Sequence, residues 1–223
     1  MYKMLKRGFD IVASSIALII LSPLLIPIVI GLKLTGEGYI FYLQERVGLN
    51  NRHFNIYKFA TMLKDSPNMK GGLITTKKDP RITPMGDFLR KTKINELPQL
   101  LNILIGDMSI VGPRPVMQKS FDQYPPDVQA VIYNVKPGLS GIGSIIFRDE
   151  EELITQVKDR GEDTWGFYCN KIYPFKGELE KWYQSHASIW VDFKIIILTA
   201  WVIIFPQSQL IYRWFPDLPQ RNF

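Results

Sequence analysis

Residues 11 to 32 read IVASSIALIILSPLLIPIVIGL, a run of 22 residues without a charge. At about 1.5 Å per residue, a straight helix of this length just crosses the roughly 30 Å hydrocarbon core of a bilayer. A secretory signal peptide fits poorly, because the run is long and no small-x-small cleavage site follows it. Two prolines bear on whether the run spans or only dips. Ser22-Pro23 falls in the middle and Pro27 one turn later. Proline removes a helix hydrogen bond and crowds the preceding turn, so the sequence predicts a break there. Lys3, Lys6 and Arg7 precede the run, and Lys33, Arg46 and Arg52 follow it. The positive-inside tendency then places both ends on the cytoplasmic side. The expectation is a re-entrant membrane helix hairpin over residues 1–34, with a single-pass anchor as the alternative.

Outward from this run the chemistry turns soluble. A chain of 223 residues leaves room for one compact domain beside the membrane element. Its 46% hydrophobic and 13% aromatic content is well above what disorder allows. The net charge of +6 implies an anionic partner: acidic lipid, a phosphorylated substrate or nucleic acid. The basic residues are interleaved with prolines and acids instead of forming a patch, which argues against nucleic acid. Cys169 is the one cysteine, so no internal disulfide forms.

Tyr39–Leu43 and Phe54–Phe59 read as two strands of a small hairpin, with Gln44–Gly48 as the turn. Gly36 and Gly38 mark a turn before it, and Asp65–Gly72 a loop after it. Pro84–Arg90 is a short helix. Glu96–Ile105 is a firmer one, with Asn95 in the N-cap position and Gly106 as its stop. Tyr124–Tyr133 starts another helix, and Trp165–Tyr183 is a helix broken near Pro174. Ile189–Phe205 is apolar but carries Asp192 and Lys194, which suits a helix in the membrane interface or one covering the core. The fold class expected is α+β and mostly helical, with a cytoplasmic domain over residues 35–205. Residues 206–223 read as an irregular tail near the lipid surface.

The chemistry concentrates in residues 79–115, DPRITPMGDFLRKTKINELPQLLNILIGDMSIVGPRP. Three arginines (Arg81, Arg90 and Arg114), the helix start at Asn95-Glu96 and the rigid Gly112-Pro113-Arg114-Pro115 loop lie within it. Helix N-termini and guanidinium forks both match anionic oxygens, so this stretch is expected to grip a nucleotide diphosphate. Capping alone would also explain Asn95-Glu96. Asp107 is a metal ligand or a turn former. Arg46 and Lys58 either face the phosphates or are exposed strand charges.

These residues form a pattern with the rest of the chain. It runs through Lys6-Arg7-xx-Asp10, Ser22-Pro23, RVG at Arg46, YKFATM at Tyr57, DPRITPMGDFLRKT at Asp79 and NELPQLLNIL at Asn95. It continues with GDMSIVGPRP at Gly106, KPGLSG at Lys136 and the C-terminal WVDFKIIILTAWVII. The chain resembles the bacterial sugar transferases, monotopic polyprenyl-phosphate phosphoglycosyltransferases. The resemblance implies transfer of a sugar 1-phosphate from a UDP-sugar to undecaprenyl phosphate, releasing UMP and requiring Mg²⁺. It implies a site on the cytoplasmic face of the bacterial inner membrane, at the first membrane step of surface glycan synthesis. It leaves a homodimer open.

Carried over, Glu96 matches the second acid of the family's Asp-Glu pair and, with Asp107, is a candidate for the metal. Arg90 and Arg114 match phosphate-binding arginines, and Ser22-Pro23 the helix break. Asn95 stands where the family's nucleophilic aspartate is usual, and an amide does not readily form an acyl phosphate. Three readings follow: a substitution that traps the enzyme, direct attack by the polyprenyl phosphate, or Glu96 as nucleophile. A variant that binds nucleotide-sugar or polyprenyl phosphate without turnover is the alternative to an enzyme. Gly141-Ile142-Gly143-Ser144 replaces a tryptophan-containing segment of many relatives, which leaves the sugar undetermined.

Overall fold

The computed structural model describes residues 1–35, 37–66, 68–69 and 79–223. Gly36 and residues 67 and 70–72 of the expected turn and loop lie outside them. The chain opens with helix α1 (Tyr2–Leu34) and the strands β1 (Phe41–Val47) and β2 (His53–Phe59). Helix α2 (Pro84–Lys91), a single 3-10 turn (Ile94–Glu96), α3 (Gln99–Ile105) and β3 (Ser109–Val111) follow. Next come α4 (Gln118–Phe121), α5 (Pro126–Gln129), β4 (Gly138–Ser140), α6 (Ile142–Ile146) and α7 (Glu150–Asp159). The chain ends with α8 (Thr164–Phe167), a wide turn (Tyr168–Ile172), α9 (Tyr173–His186), α10 (Ile189–Ile204) and α11 (Leu210–Trp214).

Helix α1 is apolar and long enough to cross a membrane, with a mean hydropathy of 2.6 in its most apolar stretch. Helical turns continue through Pro23 and Pro27, where the sequence predicts a break. The local reason is Ser22. Pro23 has no N–H for the Ile19 carbonyl, and the Ser22 hydroxyl donates to that same oxygen at 2.8 Å. Both ends of α1 are fastened to the rest of the chain. Near its start, Arg7 donates to the last carbonyls of α3, Ile103 at 2.6 Å and Leu104 at 2.9 Å. Buried Asp10 accepts from the Ser109 hydroxyl and the Ile110 N–H, each at 3.0 Å. Near its end, Ile28 and Leu32 pack with Phe59 and Leu89. Ile19, Ile20 and Ile26 remain exposed.

The hairpin is antiparallel, with Phe41 opposite Phe59 and Val47 opposite His53. Gln44–Val47 extend the strand where a turn is predicted. The reversal falls instead at Leu49–Asn51, where Asn50 and Asn51 adopt φ of 55° and 58°. Asparagine tolerates that left-handed region better than most residues, which is a signal for the turn that β-propensity alone hides. A second, parallel pairing of β3 with β4 is not predicted.

The main core joins α6, α9, α10 and α11 through Ile142, Leu179, Ile195, Leu198 and Ile211. Helix α10 buries one face there and exposes Trp190, Phe193 and Trp201 on the other. The expected break at Pro174 is a wide turn over Tyr168–Ile172 that leads into α9, so the chain remains helical from Thr164 to His186. Of Tyr124–Tyr133 only Pro126–Gln129 is α-helical. The tail differs from its expectation. It contains α11, buries Phe215 and Leu218, and closes with Arg221 on Asp149 at 2.5 and 2.8 Å.

Candidate active site

The site is built where α3 meets the hairpin. Asn102 on α3 is fully buried; its Nδ2 donates to the Asn55 carbonyl at 2.8 Å, and its Oδ1 accepts from Tyr57 N–H at 2.9 Å. One side chain thus satisfies two edge groups of β2 and sets α3 against the strand. Lys58, next on that strand, then faces Glu96, its Nζ 3.7 Å from Oε1. The strand register places Lys58 opposite Tyr42. Arg46, four residues along β1, shares that face.

Thr83 caps α2 by accepting from Gly86 N–H at 3.0 Å. Lys93 follows α2 at φ 60°, an uncommon setting for a side chain with a Cβ. The chain turns there into Ile94–Glu96, and α3 begins only at Gln99. Asn95 therefore does not cap α3, as the sequence predicts it to. Its carboxamide is buried, and its Oδ1 has no hydrogen-bond partner.

Arg114 enters from the loop after β3. Gly112 and Gly138 let the two parallel strands approach so closely that a Cβ on Gly112 would lie 2.3 Å from the Lys136 carbonyl. The buried Tyr133 hydroxyl donates to the Arg114 carbonyl at 2.9 Å and accepts from Val116 N–H at 3.1 Å. So fixed, Arg114 places Nη2 2.7 Å and Nη1 3.5 Å from the two Glu96 oxygens.

Lys58 and Arg114 thus converge on one carboxylate, with Arg46 acting electrostatically on it and Arg90 on Lys58. Burial pushes the Glu96 carboxyl up, but Arg114 and Lys58 together pull it further the other way, and it ends well below the usual carboxylate range. Burial pushes the Lys58 ammonium down to about 7, with Arg114, Arg46 and Arg90 adding to the effect and Glu96 opposing it. Burial and Arg114 lower Arg46 to about 10. The Arg46 Nε is buried without a hydrogen-bond partner. Positive charge exceeds negative here, and an unpaired donor and acceptor remain: an arrangement suited to a multiply charged anion.

Several predicted residues join this group and two do not. Glu96 and Arg114 come together, Asn95 precedes Glu96 in the same 3-10 turn with its side chain buried, and Arg90 acts electrostatically on Lys58. Arg81 is committed elsewhere: it is buried and grips Asp79 through Nη2 at 2.6 Å and Nε at 2.9 Å. Its Nη1 also lies 3.4 Å from the Ser66 carbonyl. Asp107 sits past the far end of α3 from Glu96, about 10 Å of helix away. There its backbone N–H donates to the Asn102 carbonyl at 2.9 Å. The two acids expected to share a metal are therefore separated. Sequence reasoning left Lys58 and Arg46 undecided and missed Tyr133 and Asn102. Period-two alternation in Phe54–Phe59 could have shown that Lys58 and Ile56 share the inward face.

Among the described residues no group of three or more His, Cys, Asp or Glu side chains could hold a metal. That excludes a closed all-protein cage within them but not a hard cation shared with a phosphorylated ligand. Magnesium is commonly held by one or two carboxylates plus substrate phosphates. Glu96, with the unpartnered Asn95 Oδ1, fits that donor set.

A helix apolar and long enough to cross a membrane is fastened to the same body that carries the cationic cluster around Glu96. The chain belongs to the bacterial sugar transferase family, whose model matches residues 1–206. It is 34% identical over 213 residues to an undecaprenyl-phosphate glucose phosphotransferase of Komagataeibacter xylinus, covering 91% of this chain and 36% of the relative. It is 35% identical over 201 residues to the UDP-glucose:undecaprenyl-phosphate glucose-1-phosphate transferase of Escherichia coli K12, covering 89% and 40%. The exopolysaccharide production protein ExoY of Rhizobium meliloti is 36% identical over 190 residues, covering 78% of this chain and 83% of that protein. The chain thus spans about two fifths of the length of the first two relatives and most of the third.

Proposed function

We propose that the chain is a phosphoglycosyltransferase that moves a sugar 1-phosphate from a UDP-sugar to undecaprenyl phosphate. The observation that carries this is the pairing of Arg114 and Lys58 with Glu96, with Arg46 and Arg90 adding positive charge around them. Transfer needs a donor diphosphate and an acceptor phosphate brought together. Their mutual repulsion is the first barrier, and a surplus of fixed cations lowers it. The relatives named for undecaprenyl-phosphate sugar transfer support the same substrates.

With an amide at position 95, the reading adopted is direct attack. An oxygen of the acceptor phosphate, largely dianionic above a second pKa of about 6, attacks the sugar-side phosphorus of the donor. The P–O bond to the uridylyl phosphate breaks, and UMP leaves with that electron pair. Charge balances without a proton transfer, so no general base is required. Arg114 and Arg90 hold the transferring phosphoryl group, and Arg46 and Lys58 neutralise the leaving phosphate. Mg²⁺, where bound, would be held by Glu96 and Asn95 Oδ1 and would supply further charge neutralisation.

The site is placed on the cytoplasmic face of the inner membrane, with α1 dipping into the bilayer and returning. What supports this is that Arg7 and Asp10 at one end and Leu32 at the other fasten to the same body of the protein. The exposed aromatic face of α10 suits the interface beside it. Incubation with undecaprenyl phosphate, Mg²⁺ and a panel of UDP-sugars tests the reading. Sustained UMP release supports transfer; binding without release would favour the non-catalytic alternative.

A further inference from the structure

The end of β1 docks on the loop that carries Arg114, where Val47 N–H donates to the Val116 carbonyl at 2.9 Å. Beside that bond, Arg46 Nη1 donates to the Pro115 carbonyl at 3.4 Å. Pro115 directly follows Arg114, whose Nη2 is 2.7 Å from Glu96 Oε1. Arg46 Nη2 donates to Gln44 Oε1. Gln44 lies two residues earlier on β1, and therefore on the same face of the strand. Its Nε2 in turn donates to Met117 Sδ at 3.1 Å, at the end of the same loop.

Gln44 stands between a group that only donates and one that only accepts. A guanidinium has no acceptor and a thioether no donor, whereas a carboxamide offers one of each. The two neighbours thus fix which end of the amide points where. Glutamate has the same shape, but it has no donor for the sulfur and would close an ion pair with Arg46. Arg81, Arg114 and Arg221 each grip a carboxylate, those of Asp79, Glu96 and Asp149 respectively. Arg46 is held instead by a side-chain amide and a backbone carbonyl, both neutral. Burial and Arg114 already oppose its charge. Holding a guanidinium there without neutralising it leaves its charge, and the donors those bonds do not use, for an anionic ligand.

We infer that Gln44 is a positioning residue that presents Arg46 to the donor diphosphate while leaving the guanidinium charge uncompensated. The assignment rests on the proposed function and adds to it what keeps Arg46 both fixed and available to a phosphate. Met117 sets the orientation of the amide, so that its oxygen faces Arg46.

The test is isothermal titration of the full chain with UDP and UDP-glucose, using wild type, Gln44→Glu and Gln44→Ala, with urea denaturation to establish that each variant is folded. Gln44→Glu keeps the shape and strengthens the hold on Arg46, yet UDP affinity is expected to fall about tenfold or more, because the diphosphate loses one charge-assisted contact. Gln44→Ala loosens Arg46 without neutralising it, and a loss of about threefold is expected. A strut that only ties β1 to the loop predicts the reverse order. Gln44→Glu binding UDP as well as or better than Gln44→Ala therefore overturns the inference. Should Gln44→Glu not fold, an Arg46→Met background carries the test. There Gln44→Ala is expected to lower UDP affinity no further; a repeat of its loss would show that Gln44 acts without Arg46, which also overturns the inference. A wild-type chain that binds neither UDP nor UDP-glucose overturns the proposed function itself, and the wild-type titration alone distinguishes that failure.

Discussion

Arg114 Nη2 lies 2.7 Å from Glu96 Oε1, while the Arg114 carbonyl is held at 2.9 Å by the hydroxyl of Tyr133. The backbone of the arginine is thus fixed by one residue and its fork by another. Arg114→Lys replaces a planar two-point donor with a point charge. UMP release is expected to fall more than about tenfold. Near-normal turnover would remove Arg114 from the site. Tyr133→Phe is expected to lower the rate by a smaller factor, because the loop loses its tether while the guanidinium remains.

Lys58 gives the site a pH dependence. Burial and the surrounding arginines hold it at about 7, against an ordinary 10.5. A bound diphosphate favours the ammonium form, so the free protein takes up a proton on binding wherever Lys58 is neutral beforehand. Affinity for a UDP-sugar is therefore expected to be highest below pH 7 and to decline as pH rises through 7. Glu96, Arg114 and Arg46, which face Lys58, keep their charge across that window, so the change belongs to Lys58. Titration in buffers of different ionisation enthalpy should report proton uptake at pH 8, and Lys58→Met should abolish it. Equal apparent enthalpies in all buffers at pH 8 would count against this account.

Asn95 separates direct attack from a covalent route. Its side chain is buried, with Oδ1 unpartnered, so an isosteric carboxylate fits the same space. With direct attack, intact-protein mass spectrometry during turnover should find no phosphosugar adduct. Asn95→Asp is then expected to leave the rate unchanged or lower it. A rise in rate would identify the asparagine as a block, and a stable adduct on Glu96 would make that residue the nucleophile.

The packing of α3 on the hairpin makes a stability prediction. Asn102→Leu leaves the Asn55 carbonyl and Tyr57 N–H without their side-chain partner. Each unsatisfied group costs roughly 1–3 kcal/mol, so a loss of about 2–4 kcal/mol is expected in chemical denaturation. A loss below about 1 kcal/mol would show that water replaces the amide.

What the sequence makes legible here is whatever periodicity or local chemistry encodes. The uncharged run at Ile11–Leu32, the hairpin strands and the Ile189–Phe205 helix each announce themselves over many residues. Arg114 and Glu96 are legible as a pair because a rigid Pro-Arg-Pro loop and a helix entry share one short stretch. That Arg81 gives its fork to Asp79, two residues before it, is not announced by any local pattern. Asp107 is close to Glu96 in sequence, and the length of α3 separates them in space. Asn102 and Tyr133 depend on partners 47 and 19 residues away. No pattern within one segment encodes those meetings.

The last prediction concerns α1. Pro23 deprives the Ile19 carbonyl of its helical donor, and the Ser22 hydroxyl restores one at 2.8 Å. In hydrocarbon no water can take that role, so Ser22→Ala should destabilise membrane-inserted protein by about 1–3 kcal/mol. The larger question is where the two ends of the helix lie. Arg7 is bonded to α3 and Leu32 is packed on Phe59, so the re-entrant reading proposed above expects both ends on one side of the bilayer. Single cysteines introduced at Lys3 and Lys33, in a Cys169→Ser background, should therefore be labelled by a membrane-impermeant maleimide from the same face of inverted vesicles. Labelling from opposite faces would convert α1 into a spanning anchor and detach one end from the contacts described. Ser22→Ala need not change that labelling pattern, because the fastening at each end is independent of the hydroxyl.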